Sequence, residues 1–408
     1  MSEQTDHSIP DHEGEPVDLS TAHAGRRATV LQVLPSMGLQ GGVERGTVDM
    51  AAAIVAAGGR AIVAAEEGLL APELKRHGAE FVPLPLASKN PLVMHKNVNR
   101  LVELIETEQV DLVHARSRAP AWSAYRACKR TGTPFVTTFH GTYGHGNFFK
   151  RWYNSVMTRG QPIIAISKFI AAHMHRIYGI PMQKVRIIHR GIDTKHFDPD
   201  NVSAERVIQL ASKWRMTDGA PVIALPGRLT RWKGQMFLVD AIAELGRTDI
   251  CCLLIGSDQG RAGYREELEA HIVNRGVASV VQIIDDCRDM PAAYKLSDVV
   301  VSASIEPEAF GRIAAEAQSM GRPVVATNHG GARETVVEGV TGWLAPPDDA
   351  AALARCLERA LALTPEDRQT MAKRARAHVI QHFSKESMTS ATLEVYDEVL
   401  HPERHPTS

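Results

Sequence analysis

DVVVSASIEPEAFGRIAAEAQSMGRPVVAT, residues 298–327, decides the fold. It opens on a β-branched run, DVVVSAS (298–304), passes through a turn rich in Glu and Pro, and continues as a helix over 309–320. It closes on a second short apolar strand, PVVAT (323–327). Neither strand alternates polar with apolar residues. Such strands are buried on both faces, which in a strand–helix–strand unit means a parallel sheet covered by helices.

The pattern repeats outward in both directions. Upstream come PVIALPGR (221–228), a helix over 234–246, ICCLLIG (250–256), a helix over 262–275, VVQIID (280–285) and a helix over 289–296. Downstream come a helix over 331–337, GWLAPP (342–347), helices over 348–363 and 365–382, and an amphipathic helix over 383–400. Residues 194–218 read as a connector with one short helix. Before it lies a second strand–helix series. Its strands are ATVLQVLP (28–35), RAIVAA (60–65), FVPLPL (81–86), DLVHAR (111–116), PFVTTFHG (134–141), IIAIS (163–167) and VRIIHRGID (185–193). The expected fold class is therefore α/β, with two Rossmann-like doubly wound domains over 28–193 and 219–382. Ligands of such domains bind at the carboxyl ends of the strands, so a cleft between two of them is the natural site. Residues 1–27 are expected to be a disordered acidic tail, and 401–408 a second tail.

Composition agrees with a globular chain: 44% of the 408 residues are hydrophobic and 23% charged. No apolar run approaches the ~18 residues of a membrane span. The polar, acidic start has no signal-peptide pattern. The five cysteines form no CxxC pair, and Cys251 and Cys252 read as small buried hydrophobes. The expected location is the cytoplasm. The net charge of −1 hides an asymmetry: residues 1–27 carry −4, 28–190 carry +10 and 191–408 carry −7. A basic half suits an anionic partner, whether a membrane surface, an anionic lipid or a nucleic acid.

Four stretches carry chemistry. EAFGRIAAE (308–316) places Glu308 and Glu316 at either end of a strand-to-helix turn. A helix starting near Ala309 would separate the two carboxylates by about 12 Å, too far to share a proton or a metal. That separation suits hydroxyls on opposite sides of a pyrophosphate held at the helix N-terminus beside Gly311. PGRLTRWKG (226–234) offers Arg228 and Lys233 as cations for a diphosphate. GLQGGVERG (38–46) is a glycine-rich strand-to-helix turn without the dinucleotide or P-loop spacing. FHG (139–141) ends a strand in the basic half. DPD (198–200) has the outline of a metal site but contains Pro and lies in the connector, so it reads as a turn. His173 and His175 lie two apart on a helix, are poor co-ligands, and are expected at the solvated surface. No metal site is expected.

Together these motifs resemble the retaining family-4 glycosyltransferases over about residues 28–400. The match is most specific in SIEPEAFGRIAAEAQSMGRPVVATNHGG (304–331). GRLTRWKG, GGVERG, TFHG, AISKF (165–169), RGID (190–193) and the closing FSKESM follow in the family's order. The resemblance implies the GT-B fold, with an acceptor-binding first domain, a donor-binding second domain and a last helix that crosses back to the first. It implies that Glu316 holds the ribose of a nucleotide diphosphate-sugar and Glu308 the donor sugar. Arg228 and Lys233 would bind the pyrophosphate, and the backbone at Phe310 and Gly311 would meet sugar and phosphate. Gly41 and Gly42 would approach the phosphate from the other domain. His140 would stand beside the reacting carbon, and the segment from Ile283, including Ile284 and Asp286, would contact the base. Retention without a metal or other cofactor follows from the resemblance, not from spacing. Two positions depart from the family: Arg190 stands where Asn is common, and Asp285-Asp286 where a Gly is common.

The acceptor side is basic and aromatic. GHGNFFKRWYNS (144–155) sets Lys150, Arg151 and Trp152 beside Phe148 and Phe149, and Arg116 and Arg118 add charge. Exposed, this stretch suits a membrane interface or an anionic glycolipid; no motif supports a nucleic-acid partner. GGVER together with ARSRAPAWSAYRAC (115–128) resembles bacterial glycosyltransferases of lipopolysaccharide core or related envelope glycans. The expected activity is transfer of a hexosyl unit from a nucleotide diphosphate-sugar to a glycan or glycolipid. The alternatives are a sugar-nucleotide epimerase of the same fold and a non-catalytic nucleotide-sugar-binding protein. The motifs leave the sugar, the base, the acceptor and the oligomeric state open.

Overall fold

The computed structural model describes residues 17–21, 25–38, 42–144, 146–216, 219–260, 262–285 and 287–405. The first half runs β1 (Thr29–Ser36), α1 (Gly42–Ala56), β2 (Arg60–Glu66), α2 (Ala71–Arg76), β3 (Glu80–Pro83), α3 (Pro91–Thr107), β4 (Leu112–Ala115), α4 (Arg118–Thr131), β5 (Phe135–Phe139), α5 (Phe148–Asn154), β6 (Ile163–Ala165), α6 (Lys168–Tyr178) and β7 (Val185–Ile187). After α7 (Ala204–Lys213), the second half runs β8 (Val222–Pro226), α8 (Gln235–Leu245), β9 (Cys251–Ile255), α9 (Ala262–Asn274), β10 (Val281–Ile284), α10 (Met290–Leu296), β11 (Val299–Ser302), α11 (Arg312–Ser319), β12 (Val324–Thr327), α12 (Ala332–Thr335) and β13 (Gly342–Ala345). The helices α13 (Ala350–Leu361), α14 (Pro365–Phe383) and α15 (Lys385–Leu400) follow.

The strands form two parallel sheets, ordered β3-β2-β1-β4-β5-β6-β7 and β10-β9-β8-β11-β12-β13. The apolar runs that lacked alternation are the central strands: Leu31, Val33, Val113 and Val136 are fully buried in the first sheet, and Ile223, Cys252, Leu254 and Val301 in the second. In each sheet the strand order reverses once, between β1 and β4 and between β8 and β11. The loops leaving neighbouring strands there diverge to opposite faces and open a crevice. Gly42 follows β1 and Arg116 follows β4; Arg228 follows β8 and Glu308 follows β11. Four of the expected site residues thus come from the two switch points.

The last helix joins the halves. The Ile192 N–H donates to the Phe383 carbonyl (2.7 Å), and the Lys385 N–H donates to the Ile192 carbonyl (3.0 Å). Then α15 packs on α1, and the fully buried Tyr396 meets His114 Nδ1 at 2.7 Å.

Four expectations need correction. The acidic tail does not extend to residue 27. Leu19 is fully buried, its N–H donates to Ala57 and its carbonyl accepts from Ala28. Arg26 pairs with Asp111 at 2.6 Å. Two apolar residues, Val17 and Leu19, in a polar stretch are too few to give a periodicity to read. The helix placed from Ala309 begins at Arg312, because Gly311 turns the chain at φ +87°, so Glu308 stands outside it. His173 is buried against Phe139 rather than solvated. The strand placed over 185–193 ends at Ile187, and the RGID segment is a loop at the crossing with Ser384.

Candidate active site

The second sheet contributes two carboxylate–cation pairs. Glu308, in the loop after β11, accepts from Lys233 Nζ at 2.8 Å and from the Ser304 hydroxyl. Lys233 is brought there by a 3-10 turn over Arg231–Lys233, which Gly234 closes at φ +75°. The Lys233 ammonium also stands 4.4 Å from the centre of the Trp232 ring. Glu316, one turn into α11, is buried. One oxygen accepts from Arg312 Nε at 2.7 Å and the other from the Tyr294 hydroxyl at 2.8 Å. Burial, and next the Glu316 charge, hold the Tyr294 phenol well above its usual range, so it stays a donor. The two carboxylates therefore have separate partners and share no proton. Phe310 is buried against Phe383 and His189, and its backbone packs closely on Gly331. Arg228 is exposed at the end of β8, and Ile284 is partly buried against the core cluster that holds Leu253 and Ile255. Asp286 and Gly41 lie outside the described residues.

The first sheet contributes the opposite wall. Gly42 opens α1, and a Cβ there would lie 2.5 Å from Arg190 Nη1 and 3.1 Å from Arg312 Nη1. His140, at the end of β5, places Nδ1 3.4 Å from Arg190 Nη2, and its Nε2 is buried with no partner. Burial first, then the charges of Arg190 and Arg116, hold this imidazole well below its usual range, so it is neutral. Arg116 is buried and donates to Gln32 Oε1 at 2.8 Å. One crevice is lined by Gly42, Arg116, His140, Arg190 and Arg312 together.

Arg118 is held away from this crevice. It donates to Asn154 at 3.0 Å and lies over the Tyr143 ring. Lys150, Arg151 and Trp152 are exposed on α5, with Trp152 stacked on Trp122 at 4.7 Å. Phe148 and Phe149 beside them are 75% and 78% exposed, so this helix presents an apolar and cationic surface. Asp198 of the DPD caps a turn through the Asp200 N–H and pairs with Arg376. Among the described residues no cluster of three or more His, Cys, Asp or Glu has a metal-binding arrangement, and no helix is long and apolar enough to cross a membrane.

Sequence reasoning did not name Arg312, Tyr294 or Ser304. The i,i+4 spacing of Arg312 and Glu316 was a readable signal. Tyr294 and Ser304 reach the site only through the packing of α10 and β11 against α11.

The description "Glycosyltransferase Family 4" matches residues 40–196, and "Glycosyl transferases group 1" matches 209–378. A glycosyltransferase from Rickettsia africae is 38% identical, with 91% of this chain and 98% of that chain covered and a TM-score of 0.84. Anabaena HepE, solved in complex with UDP-glucose, is 25% identical over 91% of this chain and 99% of its own, with a TM-score of 0.77. The D-inositol 3-phosphate glycosyltransferase of Jonesia denitrificans is 27% identical over 70% of this chain and 71% of its own. The first match covers the first sheet from α1 onward and the second covers the whole second sheet, and the chain belongs to the GT-B glycosyltransferases.

Proposed function

We propose that this enzyme moves a hexosyl unit from a nucleotide diphosphate-sugar to a glycan or glycolipid acceptor, with retention and without a metal. The carrying observation is the pair of separately held carboxylates, Glu308 with Lys233 and Glu316 with Arg312, the second of which brings Arg312 into one crevice with Gly42 and His140. In this reading Glu316 holds the ribose and Glu308 the sugar hydroxyls. Lys233, Arg228 and the Gly311 turn take the diphosphate, Gly42 approaches it from the other wall, and Ile284 contacts the base. The sugar–phosphate C–O bond breaks and its electron pair goes to the leaving diphosphate. The acceptor oxygen bonds the same face of the carbon, and its proton passes to the departing phosphate oxygen. Preorganised cations stabilise the leaving group. A neutral His140 adds no positive charge beside the oxocarbenium-like sugar.

The UDP-glucose complex of the Anabaena protein supports trying a uridine donor first. The relatives named for D-inositol 3-phosphate make that compound the soluble acceptor to test beside lipid-linked glycans. Exposed Phe148 and Phe149 beside Lys150 and Arg151 favour an acceptor at an anionic membrane. We place the enzyme in the cytoplasm, at the inner face of that membrane, in envelope-glycan synthesis such as lipopolysaccharide core.

The test is a thermal-shift screen of UDP-, GDP- and ADP-sugars with and without EDTA, followed by transfer assays. A ligand at about 100 times its dissociation constant adds about 2.7 kcal/mol. We expect one nucleotide class to shift the protein despite EDTA, and Lys233→Ala and Glu316→Ala each to abolish the shift. Binding without turnover would point to a non-catalytic nucleotide-sugar-binding protein, and donor turnover without acceptor to an epimerase. An inverted product or an EDTA-sensitive rate would overturn the proposed chemistry.

A further inference from the structure

We propose that Arg190 is a further donor-binding residue, reaching from the first-domain wall to the sugar-bearing phosphate of the leaving diphosphate. The assignment rests on the donor-site reading above. Three residues of that reading converge on this one side chain. Its Nη1 occupies the space a Cβ on Gly42 would need, its Nη2 faces His140 Nδ1 at 3.4 Å, and the Arg312 guanidinium meets it above Gly42.

Charge makes the arrangement informative. Arg312 is neutralised by Glu316, and Lys233 by Glu308. Among the described residues Arg190 has no carboxylate within ion-pair reach; Glu44 acts on it only through space. Burial, then Arg312 and Arg116, push the Arg190 guanidinium down to about 10. Arg116 behind it is buried with Nε unpartnered. Enclosed like charges are costly unless an anion joins them. The crevice they line takes Arg312 from the second domain and also holds two carboxylates, Asp49, which acts through space on Arg116 and Arg312, and Asp193, which pairs with Lys385; neither pairs with Arg190. Gly42 serves this geometry because any side chain there would displace the guanidinium. A phosphate carried by the acceptor would offer the same chemistry, so the test must separate the two sources.

Calorimetry with UDP and UMP on wild type, Arg190→Gln and Arg190→Lys does so; if the screen selects another base, that nucleoside's di- and monophosphate replace them. Loss of a charge-assisted bond to the outer phosphate should weaken UDP binding by about tenfold or more. UMP binding should change little, and Arg190→Lys should lose part of the UDP preference, less than Arg190→Gln loses. Equal weakening of both nucleotides would show a structural role, and no change in either would assign the cluster to another anion; either result overturns the proposal. If Arg190→Gln does not fold, Arg190→Lys decides alone. A point charge in place of the fork should lower the UDP-to-UMP ratio measurably, and an unchanged ratio overturns the proposal. Failure of every nucleoside diphosphate to bind wild type would overturn the donor-site reading itself, and this assignment with it.

Discussion

The Glu316 side chain lies in a nearly closed site with two donors facing it, and one of them is a hydroxyl drawn from the core. Tyr294 is 1% exposed and spends its only polar atom on the carboxylate. Tyr294→Phe removes that donor and leaves a buried oxygen unsatisfied, at a cost of about 1–3 kcal/mol. We expect a lower unfolding midpoint together with weaker nucleotide binding, because the remaining Arg312 bond lets the carboxylate swing. Equal nucleotide affinity in the folded variant would show that Tyr294 is only a core residue. At this scale the sequence was half readable. Glu308, Glu316, Lys233 and His140 stood in short motifs, and Arg190 stood out as a departure from them. Tyr294 and Ser304 belong to no motif, and their roles come from side chains meeting across elements.

The elements were legible because apolar runs and punctuation coincide. Gly132, Gly179 and Gly246 each end a helix in the left-handed region, and Asn90 with Pro91 starts α3. What the pattern could not show was contact between loops. Gly234 is the clearest case: a Cβ there would lie 1.9 Å from the Ala303 carbonyl oxygen, and its φ is +75°. That close approach presses the Lys233 turn against the end of β11 and sets the Lys233–Glu308 distance. Left-handed strain alone costs about 1–2 kcal/mol in a non-glycine residue, and the backbone clash adds to it. Gly234→Ala should therefore lose more than about 2 kcal/mol in urea unfolding and weaken nucleotide binding, as the turn backs away from Glu308. An alanine variant of wild-type stability would mean that the two loops can part freely.

Across the whole molecule, the cleft exists only if the two sheets keep their mutual orientation, and that depends on contacts no single stretch of sequence contains. The RGID loop crosses Ser384 and Lys385, α15 returns to α1, and Glu334 ties α12 to α6. Glu334 accepts from the Lys168 and Phe169 N–H groups at 2.8 Å each and meets His189 Nε2 at 2.9 Å, while the Ser167 hydroxyl donates to the Ala309 carbonyl at 2.6 Å. The Glu308–Gly311 loop is thereby tied to the first domain as well as the second. Burial raises the Glu334 carboxyl, but His189 and the two N–H groups outweigh it and hold it below the usual glutamate range. A depressed folded-state value means the tie is complete above the ordinary glutamate range and is lost as pH falls through the lowered value. Glu334→Ala should cost about 1–3 kcal/mol and widen the cleft. Small-angle scattering should then show a larger radius of gyration at neutral pH and less further change on acidification than in wild type. Scattering curves that superimpose at neutral pH, with equal unfolding midpoints, would show that the other contacts hold the domains and that Glu334 merely caps a helix.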